Sequence, residues 1–307
     1  MSKYFNQSRR QTVDRSTEGR AIEQAEFQRE LEEVSKTSVS TGGTPISFLS
    51  GCRKVRLPES SRVPLILSRA EIDGSALESY RALRTRLLRA QATQALRSVV
   101  LSSAVAGEGK TLTSMNLALC FSRLRDFPVL VVDSDLRTHG LTRLLGDPAG
   151  PGLSDILAGS AEYEDAILAT DYPNLYVLGA GSCCDQAAEL YSGNQWKEFV
   201  GWCGQTFRIT LVDSPPILPV ADFEQIINTC DGSLIVVRAH RTPREMLERT
   251  ARRIDPKKLL GVVFNGASST ELNEYAKGYA AGYAGPVVES GDIDEKTANR
   301  VDPGETV

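Results

Sequence analysis

Apolar and polar positions along the chain keep two rhythms. Short apolar runs recur at 99–101, 129–132, 175–178, 209–212, 234–237 and 259–264, several of them rich in Val and Ile. Runs of this length without alternation predict strands buried on both faces. Between them the spacing becomes helical. From Ile72, Leu77, Tyr80, Leu83, Leu87 and Leu88 fall on one stripe, and Leu112, Met115, Leu119 and Phe121 belong to a second helix. Short helices are expected over 153–168, a helix broken near Gly193 over 187–207, and another over 243–253. Strands alternating with helices predict an α/β fold: a mostly parallel sheet with helices on both faces, a three-layer sandwich.

The two ends fit neither rhythm. Residues 1–70 are polar and open with an Arg-, Ser- and Gln-rich stretch, followed by a charged segment at 21–34 and a Ser/Thr/Gly linker at 35–43. Such composition predicts a mostly disordered extension with one transient helix. Residues 71–270 are expected to form the folded domain. Residues 271–307 read as a flexible tail in which Tyr275, Tyr279 and Tyr283 recur among Gly and Ala.

The chemistry starts where the run at 99–101 ends. Ala106-Gly-Glu-Gly-Lys-Thr111 follows it and leads into the helix that carries Leu112. A strand, a Gly-bearing loop, Lys-Thr and a helix make a phosphate-binding P-loop. Gly107 and Gly109 let the backbone around Glu108 turn its N–H groups toward a polyphosphate, and the helix N-terminus at Lys110, Thr111 and Leu112 adds to that field. Lys110 suits the β/γ-phosphates and the Thr111 hydroxyl suits Mg²⁺. The strict motif has Gly where this chain has Ala104.

Carboxylates end two of the other runs. Asp133 and Asp135 close the one at 129–132, and Asp213, followed by Ser-Pro-Pro216, closes the one at 209–212. In open α/β sheets ligands sit beyond the carboxyl ends of strands, which puts these acids beside the P-loop. As a capping pair, Asp133 and Asp135 would have a purely local role. Asn265, at the end of the last run, suits either an adenine edge or a plain turn. Glu78, Arg81 and Arg84 lie on another side of the first helix, where a solvent-face ion pair is the simplest reading.

Composition narrows the function. A net charge of -4 argues against a nucleic-acid binder acting through bulk charge. No apolar run approaches the ~20 residues of a bilayer span, and the N-terminus lacks an apolar signal core. The expectation is a cytoplasmic chain that reaches a membrane only through a partner. Six cysteines without metal-ligand spacing are expected as free thiols, Cys120 within a helix. Two histidines, His139 and His240, leave little room for a His-based triad.

Together these stretches resemble the bacterial tyrosine kinases (BY-kinases) of the CpsD/CapB-like cytoplasmic form. The resemblance runs from about Ile72 to Tyr283. It places Ala106–Thr111 as Walker A, Val129–Arg137 as the second acidic strand, Leu211–Pro216 as Walker B, and Glu78-x-x-Arg81-x-x-Arg84 as the element that packs subunits into a ring. It implies an ATP- and Mg²⁺-dependent autokinase of capsular or exopolysaccharide synthesis. In that reading Lys110, Asp133 and Asp135 are catalytic, with Asp133 accepting the tyrosine proton. Thr111, Asp135 and Asp213 hold Mg²⁺, and Tyr275, Tyr279 and Tyr283 are the acceptors. The implied partner is a membrane-embedded polysaccharide co-polymerase that activates the kinase. A ParA/MinD-like ATPase switch has the same P-loop NTPase sheet, but its second lysine would stand where this chain has Val105. A non-catalytic ATP-binding regulator is a third reading.

Overall fold

Every apolar run named above is a strand. In this computed structural model, which describes residues 45–57, 74–146, 148–182 and 187–267, they are β2 (Ser98–Ser103), β3 (Val129–Asp133), β5 (Leu175–Leu178), β6 (Ile209–Asp213), β7 (Gly232–Arg238) and β8 (Leu259–Asn265). Two short strands, β1 (Arg53–Val55) and β4 (Leu168–Thr170), complete an eight-stranded sheet of order β1-β4-β5-β3-β6-β2-β7-β8. Neighbouring strands are parallel except β4 and β5, which are antiparallel. The chain divides into two units at Gly266, and all of these elements belong to the first. Tyr275, Tyr279 and Tyr283, the segment at 21–34, Cys183 and Cys184 lie outside the described residues.

The central strands β2, β3, β6 and β7 are apolar because both faces are covered. In contrast, β8, at the edge of the sheet, is not buried on both faces as its apolar run predicted: Val262 and Phe264 are exposed. Val99, Leu101, Val131 and Leu211 point into one core with Leu87, Leu88, Met115 and Phe121. These come from helices α2 (Gly74–Thr93) and α3 (Lys110–Ser122). Val100, Val132, Val212 and Ile235 point into the other core with Trp196, Phe199 and Phe223. Each fully buried aliphatic side chain here contributes about 1.5–3 kcal/mol. The second core is roofed by short helices: α5 (Leu153–Leu157), α6 (Tyr163–Ala166), α7 (Ala187–Ser192), α8 (Asn194–Thr206), α9 (Asp222–Thr229) and α10 (Arg244–Ala251). The predicted break at Gly193 separates α7 from α8, as its extended backbone requires. A five-residue turn of helix, α4 (Gly140–Leu144), follows β3.

The expected N-terminal extension yields part of itself to the fold. Residues 45–57 supply α1 (Pro45–Gly51) and β1, which pairs with β4. Phe48 meets Trp202 edge-on with ring centroids 5.0 Å apart, and the Leu57 N–H donates to Asp171 at 3.1 Å. The anchors lie more than a hundred residues downstream, so local composition does not reveal them. Cys52, Cys120, Cys203 and Cys230 are buried free thiols, with Cys120 inside α3 as expected. Among the described residues no helix is long and apolar enough to cross a membrane.

Candidate active site

The P-loop runs from β2 into α3. Gly107 and Gly109 have φ of 84° and 94°, the left-handed region in which a side chain is strained. At Gly109 a Cβ would also lie 1.9 Å from Asn265 Nδ2. The backbone N–H groups of Lys110, Thr111 and Leu112, in the first turn of α3, have no intrahelical acceptor and are free for an anion. The Leu112 side chain packs on the core instead. Two consecutive residues beyond β6 clamp the base of the loop: Ile217 N–H donates to Ser103 O at 2.8 Å and Leu218 N–H to Ala104 O at 3.2 Å.

Sheet order brings the acids together. β6 lies between β3 and β2, and Asp133 and Asp213 are direct partners across the β3–β6 ladder. Asp213 is fully buried. Its Oδ1 accepts from Ser114 at 3.3 Å, while its Oδ2 has no hydrogen-bond partner. Burial pushes its pKa up to about 7, opposed by the nearby Lys110 charge. Asp133, also fully buried, accepts at Oδ2 from both the backbone and hydroxyl of Thr142, each at 2.7 Å. Its Oδ1 takes only the longer bond from the Asp135 N–H, 3.3 Å. Burial raises its pKa too, and the Thr142 bonds offset part of that rise.

Extended geometry ends at Asp133, and Asp135 sits in the turn beyond it. Asp135 accepts from the Thr138 N–H at 3.1 Å and hydroxyl at 2.6 Å, and its Oδ2 lies 3.4 Å from Lys110 Nζ. Lys110, Asp133, Asp135 and Asp213 therefore meet at one end of the sheet. Thr111 borders the same place: a Cβ on Gly140 would come within 3.1 Å of its hydroxyl. The donors present fit a hard divalent cation. Asp213 Oδ2 is a buried acid oxygen lacking a partner, and the Thr111 hydroxyl starts the helix beside it.

Other expected site residues are engaged within the chain. Asn265 Nδ2 donates to the Glu108 carbonyl at 2.9 Å, so its amide braces the P-loop. Arg81 pairs with Glu78 on the exposed surface of α2, as the solvent-face reading requires. Arg84 Nη1 donates to the Cys120 carbonyl at 2.7 Å and ties α2 to α3. Sequence reasoning missed Thr142, Tyr191 and Asp222, and gave Arg137 no role beyond ending the second acidic stretch. Tyr191, buried in α7, donates to the Ser134 carbonyl at 2.7 Å, directly between the two acids of the β3 turn. Arg137 forks onto Asp222 at the start of α9, Nε–Oδ2 2.9 Å and Nη2–Oδ1 3.4 Å. Thr142 and Asp222 were signalled only by following the acidic stretches closely, and Tyr191 by nothing in the sequence.

No protein-family model matches the sequence. The tyrosine-protein kinase YwqD of Bacillus subtilis (strain 168) is 32% identical over 200 residues, covering 64% of this chain and 84% of that protein. The tyrosine-protein kinase Ptk of Acinetobacter johnsonii is 30% identical over 223 residues, 73% of this chain. This chain spans only 30% of Ptk's length. Among solved structures, the kinase domain of the Escherichia coli tyrosine kinase ETK superposes with a TM-score of 0.62 at 25% identity, over 70% of this chain and 88% of that one. With this sheet, this P-loop and these relatives, the chain belongs to the bacterial tyrosine-protein kinases.

Proposed function

We propose that this chain is an ATP-dependent tyrosine autokinase that regulates capsular or exopolysaccharide synthesis. The observation that carries the reading is the meeting of Lys110 with Asp133, Asp135 and Asp213 at the mouth of the P-loop, in a chain of this family. The loop backbone from Gly107 to Thr111 and the α3 N-terminus hold the ATP phosphates. Lys110 exchanges its contact with Asp135 for the β/γ-phosphates. Asp213, Thr111 and Asp135 hold Mg²⁺, which supplies charge neutralisation on those phosphates. Asp135 already spends both oxygens on Thr138 and Lys110, so Asp213 Oδ2 is the most available ligand. Asn265 sits at the loop's edge, and reading an adenine edge requires its bond to Glu108 to open.

The acceptor tyrosine oxygen bonds to the γ-phosphorus as the bond to the β-phosphate oxygen breaks, releasing ADP. The phenolic proton passes to Asp133. Because Thr142 occupies Oδ2 with two short bonds, Oδ1 is the oxygen that takes it. Tyr275, Tyr279 and Tyr283 are the acceptors, supplied by a neighbouring subunit of a ring built through Glu78, Arg81 and Arg84. The protein works in the cytoplasm at the inner membrane, with a membrane-embedded polysaccharide co-polymerase as its activator.

The test is phosphotyrosine mapping by mass spectrometry after incubation with Mg²⁺ and ATP, beside Lys110→Met. Phosphate on the three tail tyrosines that disappears in the variant is the expected result. ATP hydrolysis without phosphotyrosine, with the activator supplied, would instead make the chain an ATPase switch.

A further inference from the structure

Glu108 raises a problem that the nucleotide reading leaves unsolved. Its carboxylate stands in the middle of a loop meant for a polyphosphate, and like charges so close repel. Yet Glu108 is only 3% exposed, so its charge is turned away and held. Its Oε2 accepts the Val105 N–H at 3.1 Å, and its Oε1 accepts the Thr242 hydroxyl.

Thr242 is itself fixed. Its oxygen accepts the Arg238 N–H at 3.0 Å, and its own N–H donates to Arg238 O at 3.0 Å, closing the turn that leaves β7. The next residue of that turn, Ala239, donates its N–H to Asn265 O at 2.9 Å. Asn265 returns to the P-loop through Nδ2, which donates to the Glu108 carbonyl at 2.9 Å. The bonds form a closed circuit: Glu108 side chain, Thr242, the β7 turn, Asn265, Glu108 backbone. Both arms end on the same loop residue, one on its carboxylate and one on its carbonyl. Asn265 also fills the space over Gly109 so closely that no Cβ fits there.

We propose that Thr242 and Asn265 are positioning residues for the nucleotide. Acting through Glu108, they latch the P-loop open to phosphate and keep its one carboxylate out of the phosphate cradle. The turn after β7 thereby becomes part of the ATP site without touching ATP. The inference rests on the nucleotide-binding reading above. A loosened latch frees the loop backbone and lets the Glu108 charge swing toward the phosphates, so binding suffers first and the transfer step later.

The test uses the full chain, with calorimetric binding of ATP and ADP and initial rates of tyrosine phosphorylation. Thr242→Val removes the hydroxyl at nearly constant volume. It is expected to raise the Kd for ATP and the KM by about tenfold, while kcat falls by no more than about twofold. Thr242→Ser restores KM to within about twofold of the parent, because the hydroxyl returns. Asn265→Asp, which sets a carboxylate against the Glu108 carbonyl, raises KM in the same way and tests the circuit from its other side. Unchanged KM in both Thr242→Val and Asn265→Asp overturns the latch, even if melting temperatures fall. A loss confined to kcat overturns it as well. A parent protein that binds no ATP defeats the nucleotide reading and the latch together, whereas a parent that binds and variants that bind equally defeat the latch alone.

Discussion

Asp213→Asn is expected to stabilise the nucleotide-free protein at neutral pH while abolishing phosphoryl transfer. The substitution changes charge at nearly constant shape. Folded, the Asp213 carboxyl titrates at about 7 because it is buried; unfolded, it returns to the ordinary carboxylate value of 3.8. Between those values the folded chain keeps a proton that the unfolded chain has released. Its contribution to stability therefore falls as pH rises through that window and levels off above it. A gap of about three pH units at about 1.4 kcal/mol each amounts to about 4 kcal/mol. Asn carries no charge at any pH, so its chain lacks that slope. Its amide hydrogens lack an acceptor where Oδ2 has no partner, a cost of about 1–2 kcal/mol. The variant is thus expected to be no more stable than the parent near pH 4 and about 2–3 kcal/mol more stable near pH 8. Urea unfolding of both proteins across that range, followed by tryptophan fluorescence, reads the difference directly. Parallel stability curves, or an advantage that shrinks as pH rises, would refute the reasoning.

Three further substitutions address the frame around the site. Lys258 Nζ donates to the carbonyls of Ile227, Asn228 and Cys230 at 2.8, 2.7 and 2.9 Å, satisfying the end of α9. Lys258→Met keeps the apolar stem and is expected to cost about 2–3 kcal/mol in urea unfolding; a loss below about 0.5 kcal/mol contradicts the capping role. A Cβ on Gly152 would lie 2.2 Å from Gly181 N and 2.5 Å from Gly179 O, both backbone atoms with nowhere to retreat. Gly152→Ala is expected to destabilise by about 2–3 kcal/mol, and wild-type melting would show that the turn gives way easily. Arg84→Met removes the bond to the Cys120 carbonyl and should lower the stability of the dilute monomer by about 1–2 kcal/mol. If assembly size falls while monomer melting is unchanged, Arg84 serves the ring and not the α2–α3 contact.

The sheet was legible because strands buried on both faces leave a plain trace. The runs ending at Asp133 and Asp213 had to be core, and the acids had to lie at its rim. Lys110 and Thr111 were legible for a similar reason: the P-loop is contiguous, so local geometry is written in adjacent residues. What escaped is what depends on distant partners. The segment 45–57 looks like part of a polar extension until Phe48 finds Trp202 and Arg53 finds the Ala149 and Asp165 carbonyls. Thr142, which orients Asp133, and Thr242, which turns Glu108, are ordinary threonines by composition. Asp135 illustrates the limit in reverse: it was legible as a site residue, but the turn that sets it against Thr138 was not.

Asp133 and Asp213 face each other across the β3–β6 ladder with no loop intervening between their positions. Their spacing is therefore set by the repeat of the backbone bonds between adjacent strands, a dimension that no side-chain substitution stretches. The flanking helices can drift in sequence as long as both cores stay filled. A one-residue slip of β6 would carry Asp213 to the opposite face and bring Val212 into its place. Fold and chemistry fail together under that slip, so selection that preserves a melting temperature also preserves the gauge between the two acids.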